Sequence, residues 1–214
     1  MKRYLFFLFL CLFIAIPVVA QNAGNTTSLN KALQSELLKM GEEDQKLRTE
    51  LQDEMIKMSA AGTKPTPEYF ARWKKQEEID LKNMQRLEEI IKQYGWPGKS
   101  LVGEEASKQA FLILQHSDIT YQKRFFPLLK EAAMKGEARL SDAAMLEDRI
   151  LMREGKKQIY GTQLRSGDDT GGKLVLYPIE DEENVDARRA AVGLPPLAEY
   201  VKHFGLEYKP PKKQ

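Results

Sequence analysis

Apolar residues recur every three or four positions from Ser28 to about Ala61, where Leu33, Leu37, Met40, Leu47, Leu51, Met55 and Met58 form one stripe. The step from Met40 to Leu47 is double, and the seam position it skips is Asp44. Gly62-Thr63-Lys64-Pro65 punctuates the chain, and Thr66-Pro67-Glu68 then reads as an N-cap with proline at the first helical position. A second helix runs to about Tyr94 with Trp73, Met84, Leu87, Ile91 and Tyr94 on one face, interrupted by Asp80 and closed by Gly95-Trp96-Pro97-Gly98. So short a connection predicts an antiparallel hairpin. Counting outward from its turn puts Arg48 opposite Asp80 and Asp44 opposite Asn83 or Met84. The spacing therefore predicts a polar layer across the hairpin, either a salt-bridge layer that fixes register or part of a site.

A third helix starts near Glu104 and carries Ala110-Phe111-Leu112-Ile113-Leu114, a run that implies burial nearly all round. Gln115-His116-Ser117-Asp118 follows, and Asp118 can cap a helix containing Tyr121, Gln122, Phe125 and Phe126 before Pro127. Ser141 or Asp142 can cap another through Met152, ending at Gly155, with Asp148 at the centre of its apolar face and Arg149 beside it. The pattern then changes: Gln158–Gln163 and Lys173–Tyr177 read as two short strands around a turn-rich loop. Two short helices close at Gly193 and Gly205. The predicted fold is mainly α, a long antiparallel helical hairpin packed with further helices, plus a small β-hairpin towards the C-terminal side.

The first twenty residues stand outside this pattern. Lys2 and Arg3 precede an apolar run, and Val18-Val19-Ala20 supplies small residues before Gln21, the composition of a cleavable export signal. The expected organisation is a signal at 1–20, a loose segment at 21–27, one domain at 28–205 and a tail at 206–214. Cleavage takes Lys2 and Arg3 away, leaving 31 basic residues against 31 acidic ones. Such a balance argues against nucleic acid and against electrostatic docking to membranes, and no stable membrane insertion is expected after cleavage. Cys11, the only cysteine, leaves with the signal, so stability must come from core packing without disulfides.

Reaction signatures are sparse. The chain has no Gly-x-Ser-x-Gly turn and no His-Glu-x-x-His pair, and Gly171-Gly172 lacks the Lys-Ser/Thr pair and the helix that would complete a phosphate loop. No cofactor and no metal ligand is named by the sequence. What remains is an acid-base or ligand-binding reading around His116, with Asp148 as the first candidate to orient it and Asp118 as the second. Gln115, Gln122, Gln158 and Gln163 offer amide donors and acceptors suited to an uncharged polar ligand, and equally able to pin loops. Economy of burial predicts that Gln115, His116, Asp148 and the Gln158–Gln163 segment meet in one pocket.

These same stretches resemble an uncharacterised bacterial domain family. The resemblance rests on Asp44-Gln45-x-x-Arg48, Gly95-Trp96-Pro97, Gln115-His116-Ser117-Asp118 with Gln122, Asp148-Arg149, and Gln158-x-Tyr160-Gly161-Thr162-Gln163. Asp186-x-Arg188-Arg189 followed by Gly193-Leu194-Pro195 resembles its C-terminal part. It spans about residues 30 to 204 and implies that these polar positions belong together, adding Gln45, Tyr160 and Arg189 to the candidate ligand-binding set of Asp44, Arg48, Asp80, Gln115, Gln122, Arg149, Gln158 and Gln163. It brings no reaction with it. The leading expectation is an exported domain that binds a small polar ligand, with hydrolysis left open. The other is a non-catalytic envelope or secreted interaction protein whose polar network is structural.

Overall fold

The structure, a computed structural model, describes residues 28–165 and 174–209; the export signal read from residues 1–20 lies outside them. Helix α1 spans Lys31–Ala60 and α2 spans Pro67–Tyr94. Thr66 caps α2 by accepting from the Tyr69 amide at 3.2 Å, and Pro67 takes the first position, as the sequence predicts. The chain reverses after α2 at Gly95, whose φ of 74° is the left-handed conformation that glycine adopts without strain. A four-residue turn, α3 (Lys99–Val102), leads into α4 (Glu104–His116), then α5 (Ile119–Met134) and α6 (Leu140–Arg153).

The main core forms where the base of the hairpin meets α4, α5 and α6. Leu37, Leu87, Ile113, Leu114, Leu129 and Leu146 lie at its centre, essentially sealed from water. The apolar stripe of α1 is not buried along its whole length. Leu33, Leu37, Met40 and Leu51 are covered, whereas Met55 is 38% exposed; Ile56, off the stripe, is 67% exposed. The reason is length: α1 reaches about 45 Å and α4 only about 20 Å, so the hairpin outruns the helices that pack on it.

Three local expectations are corrected. Helix α5 runs through Pro127 to Met134 instead of stopping there. Pro127 is exposed, so the carbonyl that loses its amide partner faces water. Neither Ser141 nor Asp142 caps α6, because Arg139 takes that position and Asp142 turns back to pair with its guanidinium at 2.9 Å. The predicted strand Gln158–Gln163 is a loop. Pairing begins only at β1 (Leu164–Arg165), which runs antiparallel to β2 (Val175–Leu176), while Gln158 makes one isolated bridge to Ile179.

A 3-10 turn, Glu182–Asn184, leads into α7 (Val185–Ala191), and α8 (Leu197–Lys202) follows. Ile179, Val185, Leu197 and Val201 form a second, small hydrophobic cluster separate from the bundle core. Gly161 packs against it with φ of 72°, where an added Cβ would meet Ile179 and Leu197 methyls at 2.9 Å.

Candidate functional site

Asp44 faces inward from α1 at the seam position its stripe leaves polar, and it is 1% exposed. Its carboxylate meets three side chains. His116, the last residue of α4, brings Nδ1 to 2.9 Å from Oδ2. Arg48, one turn along α1, donates from Nη2 to Oδ1 at 3.2 Å, and Gln45 donates to Oδ2. Burial pushes the Asp44 carboxyl upward, but the His116 hydrogen bond and charge, with Arg48 and Gln45, outweigh it. The group is held below the usual carboxylate range.

Arg48 also bridges the hairpin as the spacing predicts, donating to Asp80 Oδ1 at 2.5 Å. Gln76, one turn before Asp80 and fully buried, donates to the same oxygen at 2.8 Å and to the Asp44 carbonyl at 3.2 Å. Asn83 adds a bond to the Met40 carbonyl at 3.2 Å. Two α2 amides thus lock onto α1 carbonyls at Asp44 and one turn before it. Gln76 was not among the candidates drawn from the sequence, although its four-residue spacing from Asp80 marks both for one face.

His116 opens onto a cleft of about 300 Å³ bounded by Asp80, Met84, Ser117, Asp118, Tyr121 and Arg153. Among the described residues no group hydrogen-bonds its Nε2, so that nitrogen is free to meet a ligand. An imidazole held by a carboxylate at Nδ1 and open at Nε2 has the geometry of a general base. Asp118 lines the same cleft, but its Oδ1 already caps α5 by accepting from Thr120 and Tyr121 amides at 2.7 and 3.0 Å.

Asp148 does not orient His116, which corrects the sequence expectation. It is fully buried and accepts from the amides of Ile159, Tyr160 and Thr162 at 2.7, 3.0 and 2.9 Å, and from the Thr162 hydroxyl at 2.9 Å. Four donors saturate both oxygens, which is why the segment loops round Asp148 instead of pairing as a strand. The single pocket expected from Gln115, His116, Asp148 and Gln158–Gln163 is therefore two separate constellations.

Most remaining candidates hold backbone. Gln122 donates to the carbonyls of Gln115 and Ser117 at 2.7 and 3.2 Å, finishing the end of α4. Gln158 donates to Gln163 and Tyr177 carbonyls and accepts from the Gln163 amide, while Gln163 reaches Thr162 Oγ1 at 3.0 Å. Arg189, fully buried, donates to Pro195 and Tyr160 carbonyls at 2.6 Å each and lies over the Tyr200 ring. Gln115 is buried with its Oε1 unpartnered.

Arg149 differs from all of these. It is half-buried on α6, its Nε is sealed without a partner, and no carboxylate lies at ion-pair distance among the described residues. Burial, with the like charges of Arg153 and Arg48, pulls its guanidinium down to about 10, still a cation at neutral pH. Among the described residues no three of His, Cys, Asp and Glu gather into a metal-ligand group.

The chain belongs to the family of unknown function DUF6624, whose model matches residues 31–209. No curated protein and no solved structure matches it.

Proposed function

We propose that this member of the DUF6624 family is an exported domain that binds a small polar ligand in the cleft at His116, with the Asp44–His116 pair available as a general base for hydrolysis. The observation that carries the reading is the imidazole itself: Nδ1 is tied to a buried carboxylate at 2.9 Å, Nε2 has no hydrogen-bond partner among the described residues, and the residue lines the cleft. That arrangement fixes the ring and its tautomer while leaving one nitrogen for a ligand proton or an attacking water. Export is supported by Lys2-Arg3, the apolar run behind them and Val18-Val19-Ala20. No helix among the described residues is long and apolar enough to cross a membrane.

An activated ester tests the base without knowledge of the natural ligand. p-Nitrophenyl acetate should be hydrolysed by the wild-type protein and by His203→Gln, and the rate should fall at least tenfold in His116→Gln. Equal rates in His116→Gln and wild type would remove the hydrolytic part. Binding is tested by thermal unfolding with disaccharides and dipeptides, where a shift that His116→Gln retains in full would place the ligand elsewhere.

The second reading is a non-catalytic interaction protein with a structural network. The saturated Asp148 and the backbone-bound Gln158 and Arg189 favour it for the C-terminal constellation, where most polar contacts serve backbone.

A further inference from the structure

Arginines in this protein are usually answered by acids. Arg48, Arg72, Arg86, Arg124, Arg139 and Arg188 each stand at ion-pair distance from a carboxylate. Arg189 has none, but backbone carbonyls and the Tyr200 ring engage it. Among the described residues no carboxylate lies at ion-pair distance from Arg149 or Arg153. They lie four residues apart on one face of α6, where like charges destabilise a helix. Arg153 donates one bond, from Nη1 to the Ser117 carbonyl at 3.0 Å, and forms part of the cleft wall beside His116. Arg149 lies one turn behind it, towards Arg48, with its Nε buried and unpartnered. An unpaired, half-buried cation such as Arg149 is costly, and the like charge of Arg153, exposed on the cleft wall, adds to that cost.

The acids around the cleft do not relieve them. Asp80 is engaged by Arg48 and Gln76, and Asp148, the sequence neighbour of Arg149, is saturated by the Ile159–Thr162 donors. Asp118 tempers the charge of Arg153 from beyond ion-pair distance while its Oδ1 caps α5. Glu77 is exposed on the α2 wall, with no ion-pair partner among the described residues.

We propose that Arg153 on the wall of the His116 cleft and Arg149, one turn behind it on α6, form an anion subsite that receives a carboxylate or phosphate group of the ligand. Guanidinium forks match both groups in two-pronged geometry. The inference rests on the cleft being a ligand site and narrows its substrate class to polar molecules that carry an anionic oxygen group. The anion fixes one end of the ligand and leaves its neutral part beside His116 Nε2.

Thermal unfolding of the full chain in sodium phosphate and in sodium acetate, each against sodium chloride at equal ionic strength, tests this. At about ten times the dissociation constant the bound anion should raise Tm by about 3–5 °C. Arg149→Gln and Arg153→Gln should lose that rise, and Arg124→Gln should keep it. A rise in phosphate alone assigns a phosphoryl ligand, and a rise in acetate alone assigns a carboxylate. No rise in either, or a full rise in Arg149→Gln, overturns the subsite. Should Arg149→Gln fail to fold, phenylglyoxal labelling of the wild type decides. Phosphate or acetate must protect the Arg149–Arg153 stretch and not Arg124, and equal labelling with and without the anions overturns the proposal. If the anions fail while His116-dependent ester hydrolysis or polar-ligand binding persists, the subsite falls and the cleft reading stands.

Discussion

His116 and Asp44, 72 positions apart in the chain, meet at 2.9 Å between Nδ1 and Oδ2 in the interior between α4 and α1. The contact ties the end of α4 to the middle of the hairpin, and the two partners do not depend on it equally. Asp44 keeps Arg48 and Gln45 if His116 is lost, whereas His116 has no other hydrogen bond among the described residues.

That asymmetry predicts an ordered pair of losses. His116→Ala should cost about 1.5–3 kcal/mol, the range for one hydrogen bond to a charged group. Asp44→Ala should cost about 3–5 kcal/mol, because it removes the acceptor of three side chains at once and leaves His116 without its partner, although Arg48 keeps Asp80. Urea denaturation of the two variants gives both values. A larger loss for His116→Ala than for Asp44→Ala would make the histidine a structural keystone and count against a ligand role.

Acid should act through the same carboxylate. The folded Asp44 group is held below its ordinary value, so its contribution to stability is complete above the unfolded pKa of about 3.9 and is lost as pH falls through the lower folded value. Stability measured between pH 6 and pH 2 should therefore drop most steeply below about pH 4. In Asp44→Asn that part of the slope should be shallower, and identical slopes in the two proteins would contradict the shift.

The Arg48–Asp80 contact invites a double-mutant cycle. Both side chains are mostly covered, at 11% and 17% exposure, so the coupling should exceed that of a surface pair and reach about 1–3 kcal/mol. A coupling near zero would mean that Gln76 alone holds Asp80.

This pairing was legible because a hairpin has one free parameter: equal counts from the turn place Arg48 against Asp80. The caps at Thr66 and Asp118 were legible for a similarly local reason. The partner of His116 was not, since periodicity assigns Asp44 to a face without saying which helix end will abut it. Nor was the fate of Gln158–Gln163. Its composition suits a strand, but a carboxylate eleven to fourteen residues earlier captures three of its amides. Pro127 misled because its position on the wet side of α5 is a tertiary fact.

Asp148→Ala should cost about 3–5 kcal/mol, since it leaves the Ile159, Tyr160 and Thr162 amides and the Thr162 hydroxyl without their acceptor. The loss should appear in the denaturation midpoint with little change in ester hydrolysis per folded molecule. A variant that stays stable but loses turnover would restore Asp148 to the chemistry.

Gly161→Ala should destabilise by about 1–3 kcal/mol, combining a left-handed φ with a Cβ pressed against Ile179 and Leu197. Melting temperature reads the effect directly, and an unchanged value would show that the second cluster yields to a methyl group.

That second cluster shares no apolar core with the bundle. The seam between them includes the Asp148 carboxylate and the weak Gln163–Met145 bond, while Arg188 and Arg189 brace the far side of the Ile159–Thr162 loop. A joint of this kind can part while both cores remain dry. The C-terminal unit should thus behave as a foldon of its own, opening at a lower free energy than the helices and exchanging its Ile159, Tyr160 and Thr162 amides together in one cooperative event.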